Sequence, residues 1–192
     1  SCVKNCESLA GDQQRQQGQK QEGTGGCATY DLGGETPSLP VIQAFNNRLI
    51  IAVRGNAAAG NQTFVNEWDP ITKKPLIPDI SGKSAGGWLW VQGGAASDTP
   101  QLAIENTKPA MYVKGWAGGP IDGAFRTEYT GVSPDYWAPW TYTGQGASTV
   151  TPGPFTAAFQ GKTYNVKKDS DNSVLLEECA GTATTDTLTV SK

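Results

Sequence analysis

Two segments of equal length and related sequence limit the folds open to this chain more than any other feature. They cover residues 40–55 and 100–115, and in each the final glycine lies 15 positions after the first proline. Both end in a valine, a basic residue and a glycine, as Val53-Arg54-Gly55 and Val113-Lys114-Gly115. Such recurrence indicates a repeat architecture, in which each unit is one supersecondary element that packs on its neighbours.

A weaker third copy begins at Pro154 and has Val166-Lys167 at the corresponding place. A second strand-like run follows each copy and contains a glutamate, so that the recurring carboxylates are Glu67, Glu128 and Glu177. A basic residue and a glutamate on adjacent strands most simply form a cross-strand ion pair. Because the glutamates recur with the repeat, we interpret them as structural positions and not as the carboxylate pair of a glycoside hydrolase.

An aromatic run follows the first two copies and leads into a glycine-rich turn, at residues 86–94 and 136–146. The third copy lacks this run, and a comparable one lies at the other end of the chain, at residues 28–37. We therefore predict that an N-terminal strand completes the last unit. Each unit then has four strands and about 50 to 60 residues, which is the size of a propeller blade.

Composition favours strands over helices. The 192 residues include 24 glycines and 12 prolines, and only 17% of them are charged, which suits many short strands and turns. The clearest strands are 48–53, 63–68, 87–91, 110–113 and 162–166. We predict an all-β, β-propeller-like fold of three four-stranded repeats, at about 40–94, 100–146 and 154–179 plus 28–37, with a β-sandwich as the alternative.

Two flanking segments differ from this repeat domain, which we place at residues 28–179. Residues 1–27 form a cysteine-containing arm whose glutamine-rich stretch, from Asp12 to Gly26, has no apolar residue to bury. Such a stretch is typical of a flexible arm or a short solvated helix. Residues 180–192 are rich in threonine and form a C-terminal strand or tail.

The first repeat resembles the blades of bacterial β-propeller lectins of the Photorhabdus fucose-lectin type. The similarity lies in RLIIAVRG at 48–55, in the strand that ends with Glu67-Trp68, and in WLWVQGG at 88–94. It extends more weakly over the whole repeat domain. The resemblance implies a propeller in which sugars bind in grooves between blades and stack on aromatic side chains. Those lectins have more blades than the three counted here.

Exposed aromatic side chains are the candidate sugar contacts, because tryptophan and tyrosine combine an apolar face with a polar tip. Trp116, in a glycine-rich loop, is the best exposed candidate, whereas we expect Trp68, Trp88 and Trp90 to pack between sheets. The candidate carbohydrate-binding residues, including two basic residues that share a repeat position, are Trp116, Trp137, Trp140, Tyr142, Arg54 and Lys114.

The four cysteines favour two disulfides, although spacing alone leaves three connectivities open. Cys27 opens the N-terminal strand and Cys179 closes the strand beside which it should lie, so we predict a bond between them. Cys2 and Cys6 are then left to bond each other or a neighbouring chain. A low-charge chain with disulfides is expected to be secreted, extracellular or at the cell surface. Asn61-Gln62-Thr63 fits a glycosylation acceptor at Asn61.

Charge and residue content exclude several function classes. A net charge of −3 is too small to favour nucleic acid or an anionic membrane as a partner. The chain contains no histidine, which removes Ser/His/Asp and Cys/His catalysis. The acidic segment 169–172 lacks the glycine and the distant glutamate of a calcium loop and is better read as a turn. We expect no cofactor, no metal and no membrane insertion.

Three function classes remain after these exclusions. The third is a hydrolase, which hydrolysis of a glycan would favour, and we expect one of the two that are not catalytic. The first is a secreted, lectin-like protein that binds glycans and acts as an assembly. The alternative is the structural subunit of an extracellular filament or surface appendage. Three blades are fewer than propellers usually have. We therefore expect self-association through the N-terminal strand, which would give a closed ring or an open fibre.

Overall fold

The computed structural model describes residues 21–23, 26–115 and 122–181. All regular structure in those ranges is β-strand, apart from two single-turn 3-10 helices, Ala57–Ala59 and Ala147–Thr149. The predicted all-β class is therefore confirmed. The strands form three antiparallel sheets, and each sheet contains one of the three predicted repeats. The sheets have six, four and five strands, so only the second has the predicted four. The fifth strand of the third sheet, Gln21–Gly23, lies in the predicted N-terminal arm, where a flexible segment or a short helix was expected.

The first repeat forms sheet 1, whose strands are β3 (Val41–Phe45), β4 (Arg48–Arg54), β5 (Gln62–Asp69), β6 (Lys74–Pro75), β7 (Ser84–Ala85) and β8 (Trp88–Ala95). The strand order is β3-β4-β5-β8-β7, with β6 paired to β5. Strand β4 carries a continuous apolar run, as expected of a strand that is buried on both faces.

Sheets 2 and 3 are formed by the second and third repeats. The strands of sheet 2 are β9 (Gln101–Glu105), β10 (Lys108–Lys114), β11 (Ala124–Glu128) and β12 (Thr141–Tyr142). Sheet 3 contains β13 (Thr156–Phe159), β14 (Lys162–Lys168), β15 (Ser173–Ala180), β2 (Cys27–Glu35) and β1 (Gln21–Gly23). The N-terminal strand β2 pairs with β15 of its own chain, so it completes the last sheet as predicted.

Each repeat begins with the same type of two-residue hairpin. The turns are Asn46-Asn47, Asn106-Thr107 and Gln160-Gly161, and both residues of each turn have positive φ. This geometry matches the twist of the strands and favours asparagine and glycine. Seven-residue strands follow all three turns, namely β4, β10 and β14.

The hairpins correct the predicted alignment of the third copy by one residue. The first residue after each turn is Arg48, Lys108 or Lys162. Counted from that residue, Lys167 and not Val166 is equivalent to Val53 and Val113. The alignment of the recurring glutamate also changes by one residue. Glu67, Glu128 and Glu178 each pair with the third residue of the strand that follows the hairpin turn, so the third repeat glutamate is Glu178 and not Glu177.

The three sheets stack face to face with sheet 1 in the middle. Successive residues of β4 point to opposite faces, so Leu49 and Ile51 enter one core whereas Ile50 and Ala52 enter the other. Burying each large aliphatic side chain stabilises the fold by about 1.5–3 kcal/mol. The core between sheets 1 and 3 also contains Tyr30, Leu32, Phe64, Trp88, Tyr164 and Leu176. The core between sheets 1 and 2 also contains Val65, Leu89, Leu102, Met111 and Trp137.

A disulfide between Cys27 and Cys179 joins the first and last strands of the repeat domain, as predicted. The two residues are paired directly across β2 and β15. Cys2 and Cys6 lie outside the described residues. None of the described sheets closes into a barrel, and face-to-face stacking is compatible with the β-sandwich alternative.

Candidate functional site

A cleft of about 600 Å³ opens between sheet 3 and sheet 1. One wall is β2, which contributes Tyr30, Asp31 and Leu32, and the other is Trp68 of β5 with the hairpin that follows it. The lining side chains from that hairpin are Thr72, Lys73, Lys74 and Pro75.

The β5–β6 hairpin owes its shape to Asp69. The Asp69 carboxylate accepts a hydrogen bond from the backbone N–H of Ile71 at 2.8 Å, which lowers the pKa of Asp69. The Asp69 carbonyl accepts a bond from the N–H of Lys73 at 2.9 Å, and Lys73 adopts a left-handed φ of 60°. The turn thereby directs Lys73 toward sheet 3.

Lys73 crosses the cleft and forms an ion pair with Glu178 of sheet 3. The Glu178 carboxylate also accepts hydrogen bonds from the Tyr164 hydroxyl at 2.9 Å and from Lys162 at 3.1 Å. Burial raises the pKa of Glu178, but the bonds from Lys73, Tyr164 and Lys162 outweigh it and hold the pKa below its usual value. A carboxylate held ionised in this way is poorly suited to act as a general acid.

Aromatic rings form the inner part of the cleft. The Tyr30 and Trp68 rings pack at 5.9 Å between centroids, and the Lys73 ammonium lies 5.7 Å from the Tyr30 centroid, within cation–π range. Both rings are largely buried, with relative exposures of 6% and 4%. The cleft thus combines an apolar floor with a charged rim.

Buried polar atoms near this floor have no hydrogen-bond partner in the part of the chain that the structure describes. They are the indole N–H of Trp68, which lines the cleft, and both amide atoms of Asn66, which lies two residues earlier on the same face of β5 but is not a lining residue. An unpartnered buried polar group costs about 1–3 kcal/mol. A hydroxyl-bearing ligand or water at these atoms would recover that free energy.

Three of the four predicted aromatic candidates lie outside the cleft. Trp137 is buried in the core between sheets 1 and 2, with 4% exposure. Trp140 is half-buried, and its indole N–H donates to the Val91 carbonyl at 3.4 Å. Tyr142 is 49% exposed and packs on Phe125. Trp116 lies outside the described residues.

The predicted basic candidates make contacts within the protein. Arg54 donates to the carbonyl of Ser97 at 3.2 Å, and Lys114 pairs with Asp98 at 3.3 Å. Asn61 is half-buried with a φ of 54°. Glycosylation at Asn61 stays a prediction. None of these residues lines the cleft.

A related polar contact joins sheets 1 and 2. The Glu67 carboxylate, 1% exposed, accepts hydrogen bonds from Arg48 at 3.0 Å and from the Tyr129 hydroxyl of sheet 2 at 2.8 Å. Glu67 and Glu178 occupy the same repeat position, as do Arg48 and Lys162. The repeat glutamates of sheets 3 and 1 therefore each link their sheet to a neighbouring one, Glu178 through Lys73 and Glu67 through Tyr129.

One group of potential metal ligands occurs among the described residues, and it consists of Cys27, Cys179 and Glu177. Both sulfurs are joined in the disulfide, so neither is a thiolate that could bind a metal. No helix in the described ranges is long and apolar enough to span a membrane.

No known protein family matches the chain, and no curated protein sequence does. The cleft therefore has to be judged on its own chemistry. Sequence reasoning missed it because Lys73 and Glu178 are far apart in the chain. Aligning the three two-residue hairpins would have identified Glu178 as the repeat glutamate.

Proposed function

We propose that this protein is a secreted, non-catalytic, carbohydrate-binding protein, and that the cleft between sheets 1 and 3 holds the sugar. The observation that carries the proposal is the combination of an aromatic floor with an unpartnered indole N–H at Trp68, which lines the cleft. Sugars present apolar ring faces together with hydroxyls that both donate and accept, and such a cleft complements both.

The proposal extends to the architecture. Three stacked antiparallel sheets of six, four and five strands, with the last completed by an N-terminal strand, are compatible with three neighbouring blades of a β-propeller. The cleft then corresponds to a groove between two blades. The disulfide favours an oxidising compartment, which supports secretion.

Trp68→Phe tests the cleft because it removes the indole N–H and keeps an aromatic ring. We expect about ten-fold weaker binding to a glycan selected from an immobilised panel, since one hydrogen bond is worth about 0.5–1.5 kcal/mol. Trp137→Phe is the matched control: Trp137 is also 4% exposed with an unpartnered indole N–H, but it lies in the other core.

The control should bind with wild-type affinity, and circular dichroism should show both variants folded. Equal loss of binding in the two variants would mean that the effect is structural. A wild-type protein that binds no member of a broad panel would overturn the proposed function.

Self-association through the N-terminal strand is the second candidate, as expected for a filament subunit. β2 is held in sheet 3 by backbone pairing and one disulfide, and both would be preserved if two chains exchanged this strand. A non-reducing gel would then show a disulfide-linked species heavier than the 20.2 kDa chain. A monodisperse monomer in native mass measurements would exclude exchange.

A further inference from the structure

Sheet 2 has one face in the core and one face that no other sheet of the described residues covers. In sheet 1 the corresponding face is buried, because sheet 2 packs on it.

Four apolar positions of the covered face are polar or amphipathic on the uncovered one. When the two sheets are aligned by their hairpins and strand registers, four positions correspond. Val41, Phe45, Ala52 and Val65 of sheet 1 are equivalent to Gln101, Glu105, Tyr112 and Arg126 of sheet 2, in that order. A face that only had to be soluble would need scattered polar side chains. These four lie together on β9, β10 and β11.

The side chains of this group fix one another. The Tyr112 hydroxyl donates to both oxygens of Glu105, at 2.7 and 2.8 Å, and the Arg126 Nε donates to Glu105 at 3.2 Å. The Arg126 guanidinium lies 6.0 Å from the centre of the Tyr112 ring. Burial and the bond to Glu105 raise the pKa of Tyr112. Side chains locked in this way are pre-organised for a ligand.

The group lines a concavity of about 460 Å³. Its rim comes from β12 and the segment that follows, through Thr141, Thr143, Gln145 and Thr149. The three threonine hydroxyls donate to backbone carbonyls, which leaves their oxygens able to accept. The side-chain carbonyl of Gln101 accepts a hydrogen bond from the backbone N–H of Thr151 at 2.8 Å, which leaves the side-chain amide N–H groups of Gln101 as donors.

We propose that this concavity on the uncovered face of sheet 2 is a second saccharide-binding site, and that it takes neutral sugars. The Tyr112 ring offers an apolar surface, and closely spaced donors and acceptors surround it, which is the pattern that adjacent sugar hydroxyls require. The charged residues of the lining are Glu105 and Arg126, and they are paired with each other. A lining without net charge gives an anionic sugar no advantage.

Binding to an immobilised panel of neutral, sialylated and glucuronate-terminated glycans tests this site. Arg126→Gln should weaken binding to at least one neutral glycan about ten-fold or more, because a hydrogen bond to a charged group is worth about 1.5–3 kcal/mol. Tyr112→Phe keeps the aromatic ring but removes the hydrogen bond from the Tyr112 hydroxyl to Glu105, so it should weaken binding to the same glycan. Lys108→Gln, on the same face but outside the lining, should stay within about two-fold of wild type.

Trp68→Phe separates this site from the cleft. A second site would be supported by a neutral glycan that no longer binds to Arg126→Gln but still binds to Trp68→Phe. The inference is overturned if Arg126→Gln binds every neutral glycan as wild type does, or if the glycans it loses are all acidic. In either case, binding that is sensitive to Trp68→Phe would leave the proposed function standing.

Discussion

Cys27 and Cys179 are paired directly across β2 and β15, and their disulfide joins two strands that are 152 residues apart in sequence. Their Cα atoms are 4.1 Å apart. The bond therefore fixes the N-terminal strand to the sheet that it completes. Without the bond, β2 is held by backbone pairing and by its side chains in the core.

Replacing both Cys27 and Cys179 with serine should lower the free energy of unfolding by about 2–5 kcal/mol, because a long loop is no longer closed in the unfolded state. Urea titration of the variant and of the oxidised wild type measures the difference. Peptide mapping without reductant should recover Cys27 joined to Cys179. A peptide with Cys27 joined to Cys2 or Cys6 would contradict the assignment.

Glu178 should make stability depend on pH. Its pKa is lowered in the folded state relative to the ordinary glutamate value of 4.5, so its contribution is present above that value and is lost as the pH falls through the folded-state pKa. We expect Glu178→Gln to lose about 1–3 kcal/mol at pH 7 and less at pH 3.

Glu177→Gln is the matched control for this prediction. Its partner Lys167 has a side chain that is 53% exposed, so the pair should contribute within about 1 kcal/mol. Urea titrations at several pH values measure both variants. Equal losses at pH 7 and pH 3 in Glu178→Gln would show that the ion pair does not cause the pH dependence.

Tyr129→Phe should destabilise the contact between sheets 1 and 2. The variant removes the hydrogen bond to the buried Glu67 carboxylate, whose other oxygen already has no partner among the described residues. The expected cost is about 1–3 kcal/mol in thermal or urea unfolding. Tyr142→Phe, at a site that is 49% exposed, should change stability by no more than about 0.5 kcal/mol. Similar costs for the two variants would contradict the importance of the Glu67 bond.

Gly87→Ala should disturb the edge of the cleft. Gly87 has a φ of +83°, and a Cβ there would overlap the Pro75 side chain. Gly82 has a similar φ of +72° but no heavy atom within 4 Å of its Cβ position, so Gly82→Ala isolates the backbone cost. We expect Gly87→Ala to lose about 1–3 kcal/mol more than Gly82→Ala, as overpacking does. Equal melting temperatures would show that Pro75 moves aside without cost.

Local features of the sequence were enough to predict the sheets. The three turns, the apolar runs of the strands and the recurrence of 40–55 at 100–115 depend on residues close together in the chain, and these signals persist in any tertiary context. The same reasoning paired Cys27 with Cys179, because the missing strand of the last repeat had one place to come from. The third copy was misaligned by one residue, since its valine offered a more obvious match than its Gln160-Gly161 turn.

The candidate site could not be predicted in this way. The sequence alone determined that the chain folds into three strand repeats closed by a disulfide, because strand pairing within a repeat follows from turns and alternation. Only the tertiary structure decided which faces are covered, and therefore that Trp68 lines a cleft, that Trp137 is buried, and that Lys73 meets Glu178. These outcomes depend on how whole sheets stack, which is set by summed packing across distant segments and leaves no local pattern in the sequence.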